Sequence, residues 1–552
     1  MLDAAMKTIL PLAACLGLAA GLPAQGPSAK FLFDQNLGEL RAAQLPDGSY
    51  GSRLDTARVL IGMSRSPRAY AVEDGPFIRD AVLFLTGTES AFEDAWGDAA
   101  VALALECLGS ERFAATIAAL CRRHDIPRAV LQEIARRGVP SEPLPEDADW
   151  AQGLPLPGEE EDAVSILGGL PEQASVSQRA EAVARAALAW RRDQAVQPPG
   201  ADRRRIYERG VDFLVSQRSA AGLWEFQGRP EPGISALAAR ALLGSERPEI
   251  RASVEPVLDW LATLQKEDGA IYDQGLPVYV TSVAVRLFVA AGRPEDRPRI
   301  ERAVAWLKAV QADEGEGYSE ADKFYGGIGY GSDLRPDLSN LQFAMQAMAE
   351  AGVTAEDPAF QKSLRFLQRV QNRSESNPEI WKDPQTGLRM RAGDDGGAAY
   401  YPGNSPAGVI RLADGTAIAR SYGSMTYALL KCYHFAGLDA EDPRMQAAVE
   451  WIQRHWTLEV NPGFDTLKDP RAGYQGLYYY YLTLAEALGT AGIDRIRTPD
   501  GIEHDWRAEL AAELAERQRR DGSWLNEGAE RWMEGNPVLC TAYALNALQA
   551  LR

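Results

Sequence analysis

RGVDFLVSQRSAAGLW, residues 209–224, reads as one helix, a turn and an aromatic clamp. Phe213 and Leu214 lie near the end of an apolar stripe at helical spacing. Gln217 closes the helix, Gly222 permits a sharp turn, and Trp224 is placed to fold back over the helix end. An indole stacked on the Gln217 amide would seal the joint. The arrangement recurs as Trp260, Gln265, Asp268-Gly269 and Tyr272, and as Trp306, Gln311 and Gly317-Tyr318. It returns as Phe366 and Gln371, then as Leu514, Gln518 and Asp521-Gly522-Ser523-Trp524. Trp451 with Trp456 is a degenerate copy without the Gln, and Leu40, Gln44 and Asp47-Gly48-Ser49-Tyr50 form an outlying one. A second apolar helix follows each turn, so the chain is read first as a repeat.

The spacing predicts outer helices near 203–217, 251–265, 298–311, 357–371, 443–456 and 505–518. Inner helices are expected near 233–243, 279–291, 337–351, 421–436, 474–489 and 537–551. Six helical hairpins suffice to close a ring and remove exposed repeat ends. The fold class is therefore all-α: an α/α toroid of six helical hairpins around a central cavity, with an additional N-terminal helical region. Two insertions interrupt the repeat, at 325–337 and between Gln371 and Tyr422. Both lead from an outer helix into an inner one, so both are expected at the same mouth of the ring.

The expected organisation is a signal peptide over 1–24, a helical region over 25–139, an acidic Pro-rich linker and helix over 140–200, and the toroid over 201–552. Lys7 and the apolar run to Pro23 fit a signal peptide cleaved after Ala24, which implies a secreted or periplasmic protein. Leu12-Ala13-Ala14-Cys15 offers lipoprotein anchoring as an alternative. No transmembrane segment is expected in the mature chain. A net charge of −19 argues against nucleic acid and anionic membrane as partners. Cys107, Cys121, Cys432 and Cys540 lie in apolar helical stretches and read as buried thiols, with a Cys107–Cys121 disulfide left open.

The repeat resembles the QW repeat of squalene–hopene cyclases and the related repeat of protein prenyltransferase beta subunits, over about residues 201–552. Cyclases of that family carry a D-x-D-D motif at the start of an inner helix, whose aspartic acid protonates the substrate. The inner-helix starts here read PGISALAAR, VYVTSVAVR, RPDLSNLQF, RSYGSMTYA, GYQGLYYYY and GNPVLCTAY, none with that motif. The prenyltransferases bind zinc through an Asp-x-Cys pair and a later His. Cys432 has Leu430 two places before it, and the last inner helix carries Cys540 and Tyr543 but no His. Neither cyclase nor zinc chemistry is expected, and no metal or cofactor is called for.

Polar and aromatic residues remain at the inner-helix starts. Asp337 and Asn340 share a face, with Arg335 before them. Tyr422 and Tyr427 begin the fourth inner helix; Tyr474, Tyr478 and Tyr481 form a stripe on the fifth; Glu534 precedes the sixth. Asp337, Glu534 and Tyr478 are the catalytic candidates. Arg335, Asn340, Tyr422, Tyr427, Tyr474 and Tyr481 are the ligand-binding candidates. The same residues also suit helix capping and aromatic packing. Three functions stay open: a toroid binding a small molecule or glycan in its central cavity, a polysaccharide lyase or glycosidase with Asp337 and Glu534 as acid and base, and a non-catalytic interaction scaffold. A ligand site is expected where the inner-helix N-termini converge.

Overall fold

The computed structural model describes residues 27–551, apart from 88–94, 146–147, 196–201, 332–334, 384–385, 467 and 470. The segment read as a signal peptide, with Cys15, lies outside the described residues.

Six outer helices, Asp202–Ser216, Glu255–Thr263, Arg297–Ala309, Pro358–Val370, Pro443–Arg454 and Trp506–Arg517, alternate with six inner ones. The inner helices are Pro232–Leu243, Pro277–Ala291, Leu338–Glu350, Gly423–Phe435, Leu477–Thr490 and Pro537–Ala550. Each inner helix packs on the next, and the sixth packs on the first, so the α/α toroid is closed. Helix starts follow local chemistry. Asp357, Asp442 and Asn536 each accept a hydrogen bond from a first-turn N–H, and a proline follows where no donor is needed. Inner helices are buried nearly all round, as Gly423–Tyr433 shows, whereas outer helices bury one stripe, such as Met445, Ala448, Trp451 and Ile452.

The recurring Gln and Gly stitch neighbouring outer helices together. Gln311 Nε2 donates to Gly326 O of its own turn and to Ala359 O of the next outer helix, at 3.0 and 2.8 Å. Gln265 does the same to Gly269 O and Arg299 O, and Gln371 to Gly396 O and Arg444 O. Gln518 closes the ring, donating to Gly522 O at 3.0 Å and to Ile206 O of the first outer helix at 2.7 Å. The turn glycines Gly269, Gly326, Gly396 and Gly522 all have positive φ. A Cβ at any of them would run into a main-chain carbonyl of the next outer helix, Arg209 O in the case of Gly522. Glycine is required there both for its backbone region and for close approach.

Stacking of the indole on the glutamine, expected from the sequence, is not what seals the joint. Trp224 Nε1 donates to Leu214 O at 2.8 Å, and Trp524 Nε1 to Leu514 O at 2.7 Å, so each indole ties the turn to its own outer helix. The amide reaches away from the ring because its two N–H groups find one carbonyl in its own turn and another on the next outer helix. Gln217 departs from the pattern: it donates to Ser216 Oγ, and Gly222 meets only Pro256 side-chain carbons, at 3.4 Å and beyond. In the degenerate copy Trp456 Nε1 takes over the stitch, donating to Glu509 of the sixth outer helix at 3.1 Å.

The N-terminal region folds around its own core from Ala29–Ala42, Arg53–Arg65, Ala95–Gly109 and Val176–Ala195. Its outlying copy is a true one: Gln44 Nε2 donates to Gly48 O and to Phe77 O. The stretch read as a linker and its helix are packed into this core through Trp150, Leu154, Ile166 and Val183, because their apolar side chains find cover there. Lys30 joins the region to the toroid, buried against Glu513 at 2.5 Å. The cysteines Cys107, Cys121, Cys432 and Cys540 are buried free thiols. No described helix is long and apolar enough to cross a membrane.

Candidate functional site

The two insertions meet at the mouth formed by the inner-helix N-termini. Leu338 N donates to Tyr400 O at 2.9 Å, the Tyr330 and Tyr400 hydroxyls pair at 3.1 Å, and the Arg335 guanidinium lies over the Tyr401 ring at 4.1 Å. The longer insertion carries a four-stranded sheet built from Trp381–Lys382, Arg389–Met390, Thr416–Ala419 and Val409–Arg411, in that order.

Asp337 and Asn340 act locally here. Asp337 caps the third inner helix, accepting from Asn340 N and Asn340 Nδ2, both at 2.9 Å. Burial pushes its carboxyl up to about 6, against the lowering effect of the Asn340, Tyr400 and Arg335 groups around it. Glu534 caps a helix that is not its own. The fifth inner helix begins after Gly476, which has no side chain to offer, and Glu534 accepts from Tyr479 N at 2.8 Å and Asn526 Nδ2 at 2.5 Å. Burial raises Glu534 to about 7. Both carboxyl residues are 0% exposed.

The tyrosine candidates are mostly seam residues. Tyr481 donates to Leu458 O at 2.6 Å and faces Glu513 of the sixth outer helix. Tyr478 packs edge-on against Tyr481 at 5.7 Å, between the inner and outer layers rather than toward the axis. Tyr427 sits against Tyr480, and Tyr422 against Phe464, at 5.7 and 5.2 Å. Tyr474 packs over Gly528 and accepts from Asn526 through its carbonyl.

Other aromatics fill the axis. Tyr279, Phe343, Tyr479 and Tyr543 come from the second, third, fifth and sixth inner helices. Tyr279 meets Phe343 at 4.8 Å, Tyr479 meets Phe343 and Tyr543 at 6.0 and 6.1 Å, and the Tyr279 and Tyr543 hydroxyls pair at 3.2 Å. Helices that are not ring neighbours can touch only across the axis, so these rings plug its N-terminal half. Among the described residues, these rings occupy the axis below the mouth expected to hold a ligand.

About two turns further along each inner helix lies a polar belt that draws on all six. Arg286 bonds Glu350 Oε1 at 2.9 Å and, across the axis, Glu486 Oε1 at 2.6 Å. Lys431 bonds Glu486 Oε2 at 2.9 Å and Gln346 Oε1 at 2.6 Å. Arg240 donates to Asn546 Oδ1 at 2.6 Å and stands 3.7 Å from Glu350. Arg286 and Lys431 hold Glu486 well below the usual carboxylate range, despite its burial. Beyond this belt, toward the inner-helix C-termini, opens a cavity of about 530 Å³. Small residues leave that room: Gly244, Ala290, Gly489 and Ala550 line the wall, with Gln549 and Thr490 beside them. This cavity thus lies at the mouth opposite the expected one, and Asp337, Glu534 and the candidate tyrosines do not line it. Sequence reading passed over Arg240, Arg286, Lys431 and Glu486; charged residues inside Ala-rich helices buried all round were the available signal.

The family model of the squalene-hopene cyclase C-terminal domain matches residues 229–388. No curated protein matches the chain. Among solved structures, the type II terpene cyclase MstE from Scytonema is 16% identical, with 64% of this chain and 98% of that one covered and a TM-score of 0.40. A protein from Actinoplanes is 16% identical over 63% of this chain and 99% of its own, with a TM-score of 0.28. The ent-copalyl diphosphate synthase from Streptomyces platensis is 15% identical over 66% and 91%, with a TM-score of 0.21. The chain resembles squalene-cyclase-type repeat proteins and is an α/α toroid.

Proposed function

We propose that this protein is an exported, squalene-cyclase-like toroid that binds a polar small molecule in its central cavity and does not cyclise squalene. The observation that carries the reading is the cavity itself: it opens at the inner-helix C-termini over a charged floor, while aromatic rings meet across the other half of the axis. A site with that floor suits a polar ligand, since an apolar one would leave the charges desolvated and uncompensated.

The start of the third inner helix supports the absence of cyclisation. It reads Asp337-Leu338-Ser339-Asn340, so Ser339 and Asn340 stand where a D-x-D-D motif would have its last two acids. The remaining Asp337 is committed to capping. Export rests on the N-terminal apolar run, and the mature chain would begin near Gln25; sequencing the N-terminus of protein from its native cell checks this, and an intact Met1 or Met6 rejects it.

Thermal-shift screening of polar small molecules tests the binding site. Ala290 is exposed on the cavity wall, so Ala290→Trp fills the cavity without entering the core. Compounds that stabilise the wild type should fail to stabilise Ala290→Trp. Compounds that stabilise both alike would place binding outside the cavity.

A further inference from the structure

The charged belt under the cavity is not balanced. Arg240, Arg286 and Lys431 share two carboxylates, Glu350 and Glu486. Glu486 is taken by Arg286 and Lys431, and Glu350 by Arg286 and the Gln346 amide. Arg240 is left with one amide oxygen, on Asn546, and a long approach to Glu350. Its Nε is buried without an acceptor among the described residues. Burial and the neighbouring Arg286 charge hold the Arg240 guanidinium below its ordinary range, which marks it as the under-compensated cation. The other cation on the cavity wall, Arg507, is paired with Asp494 at 3.0 Å.

Inner-helix C-termini surround this mouth, and their partial negative charge helps to hold three cations together. Main-chain carbonyls already bonded inside a helix do not supply Arg240 with the acceptor it lacks. The same helix ends, with a net charge of −19 on the chain, oppose an incoming group with two charges. What fits is one negative charge whose oxygens meet the part of the Arg240 guanidinium that remains accessible.

We propose that the cavity binds a hydroxylated monocarboxylate, of the uronic or aldonic acid class, with its carboxylate on Arg240 and its hydroxyls on Thr490 and Gln549. This rests on the reading of the cavity as the ligand site. A volume of about 530 Å³ is in the range of small-molecule sites and holds a hexose-sized acid with room for water.

Calorimetric titration of the full chain with sodium glucuronate tests the proposal, with sodium gluconate, glucose and inorganic phosphate as comparators. At least one of the two acids should bind, with glucose and phosphate at least about tenfold weaker. Arg240→Gln should weaken binding of the acid by about tenfold or more, and Arg240→Lys, which keeps the charge, by less. Circular dichroism shows that each variant is folded. Absence of binding by both acids overturns the proposal, as does equal affinity for glucose, tighter binding of phosphate, or an Arg240→Gln variant that binds like wild type. Charge-blind binding that Ala290→Trp abolishes leaves the cavity as the ligand site and removes only the carboxylate. Glucuronate binding that survives Ala290→Trp removes both.

Discussion

Replacing Gly522 by alanine should damage the ring where it closes. Gly522 has φ of +88°, a region that costs an L-residue about 1–2 kcal/mol. The new Cβ would also overlap the Arg209 carbonyl of the first outer helix, which is backbone and cannot swing aside. Overpacking of that kind adds about 1–3 kcal/mol. Gly522→Ala should therefore lose about 2–5 kcal/mol, taking the two ranges together. Gly222 provides the comparison. Its φ is +77°, but an added Cβ meets only Pro256 side-chain carbons at ordinary contact distance, so Gly222→Ala should lose about 1–2 kcal/mol. Urea unfolding followed by tryptophan fluorescence, under conditions where refolding is complete, reads both. Because Trp224 and Trp524 are each buried beside one of these turns, the probe sits at both sites. Equal losses in the two variants would refute the argument that these glycines are needed for close approach between outer helices.

Trp524→Ala should cost about 3–5 kcal/mol, the usual loss for a large buried aromatic, and a midpoint equal to wild type would mean that the indole is not clamped. Glu534 gives a pH signature: its carboxyl sits at about 7 in the fold against an ordinary 4.5, so the folded chain holds that proton more tightly than the unfolded one. Its contribution is complete below the ordinary value and is lost as pH rises through about 7, a change approaching about 3 kcal/mol. Glu534→Gln cannot ionise, so its stability relative to wild type should improve from acid to mildly alkaline pH; parallel profiles would contradict the buried capping role. Incubation with squalene in detergent should yield no cyclic triterpene, and hopene formation would require a proton donor other than the ones described.

The repeat was legible because it is local. Helix positions follow from apolar spacing, from Asp-Pro and Asn-Pro starts, and from a closing Gln, all within one unit. The stitching Gly lies four residues on after Gln44, Gln265 and Gln518 but inside the insertions for Gln311 and Gln371, where Gly326 takes the place expected of Gly317. The Asp337–Asn340 cap was legible for the same reason, since residues three apart on a helix share a face. The partner of each stitching glutamine was not, because Gln518 reaches Ile206 only after the ring has closed. Glu534 looked like a residue of its own unit, yet it caps the helix of the preceding one. The end of the ring that carries the cavity was hidden more deeply. Whether Tyr478 or Tyr479 faces the axis depends on how each helix is rotated about its own length, and one residue turns a side chain by about 100°. Pattern reading chose Tyr478, and packing places Tyr479 across the axis. Arg286 and Glu486 are 200 residues apart and meet only because six helices bring them to one level. Local sequence determines the elements and their capping; rotation, depth and cross-axis contact are collective properties of the closed ring, and they decide which side chains meet on the axis and where room is left beside them.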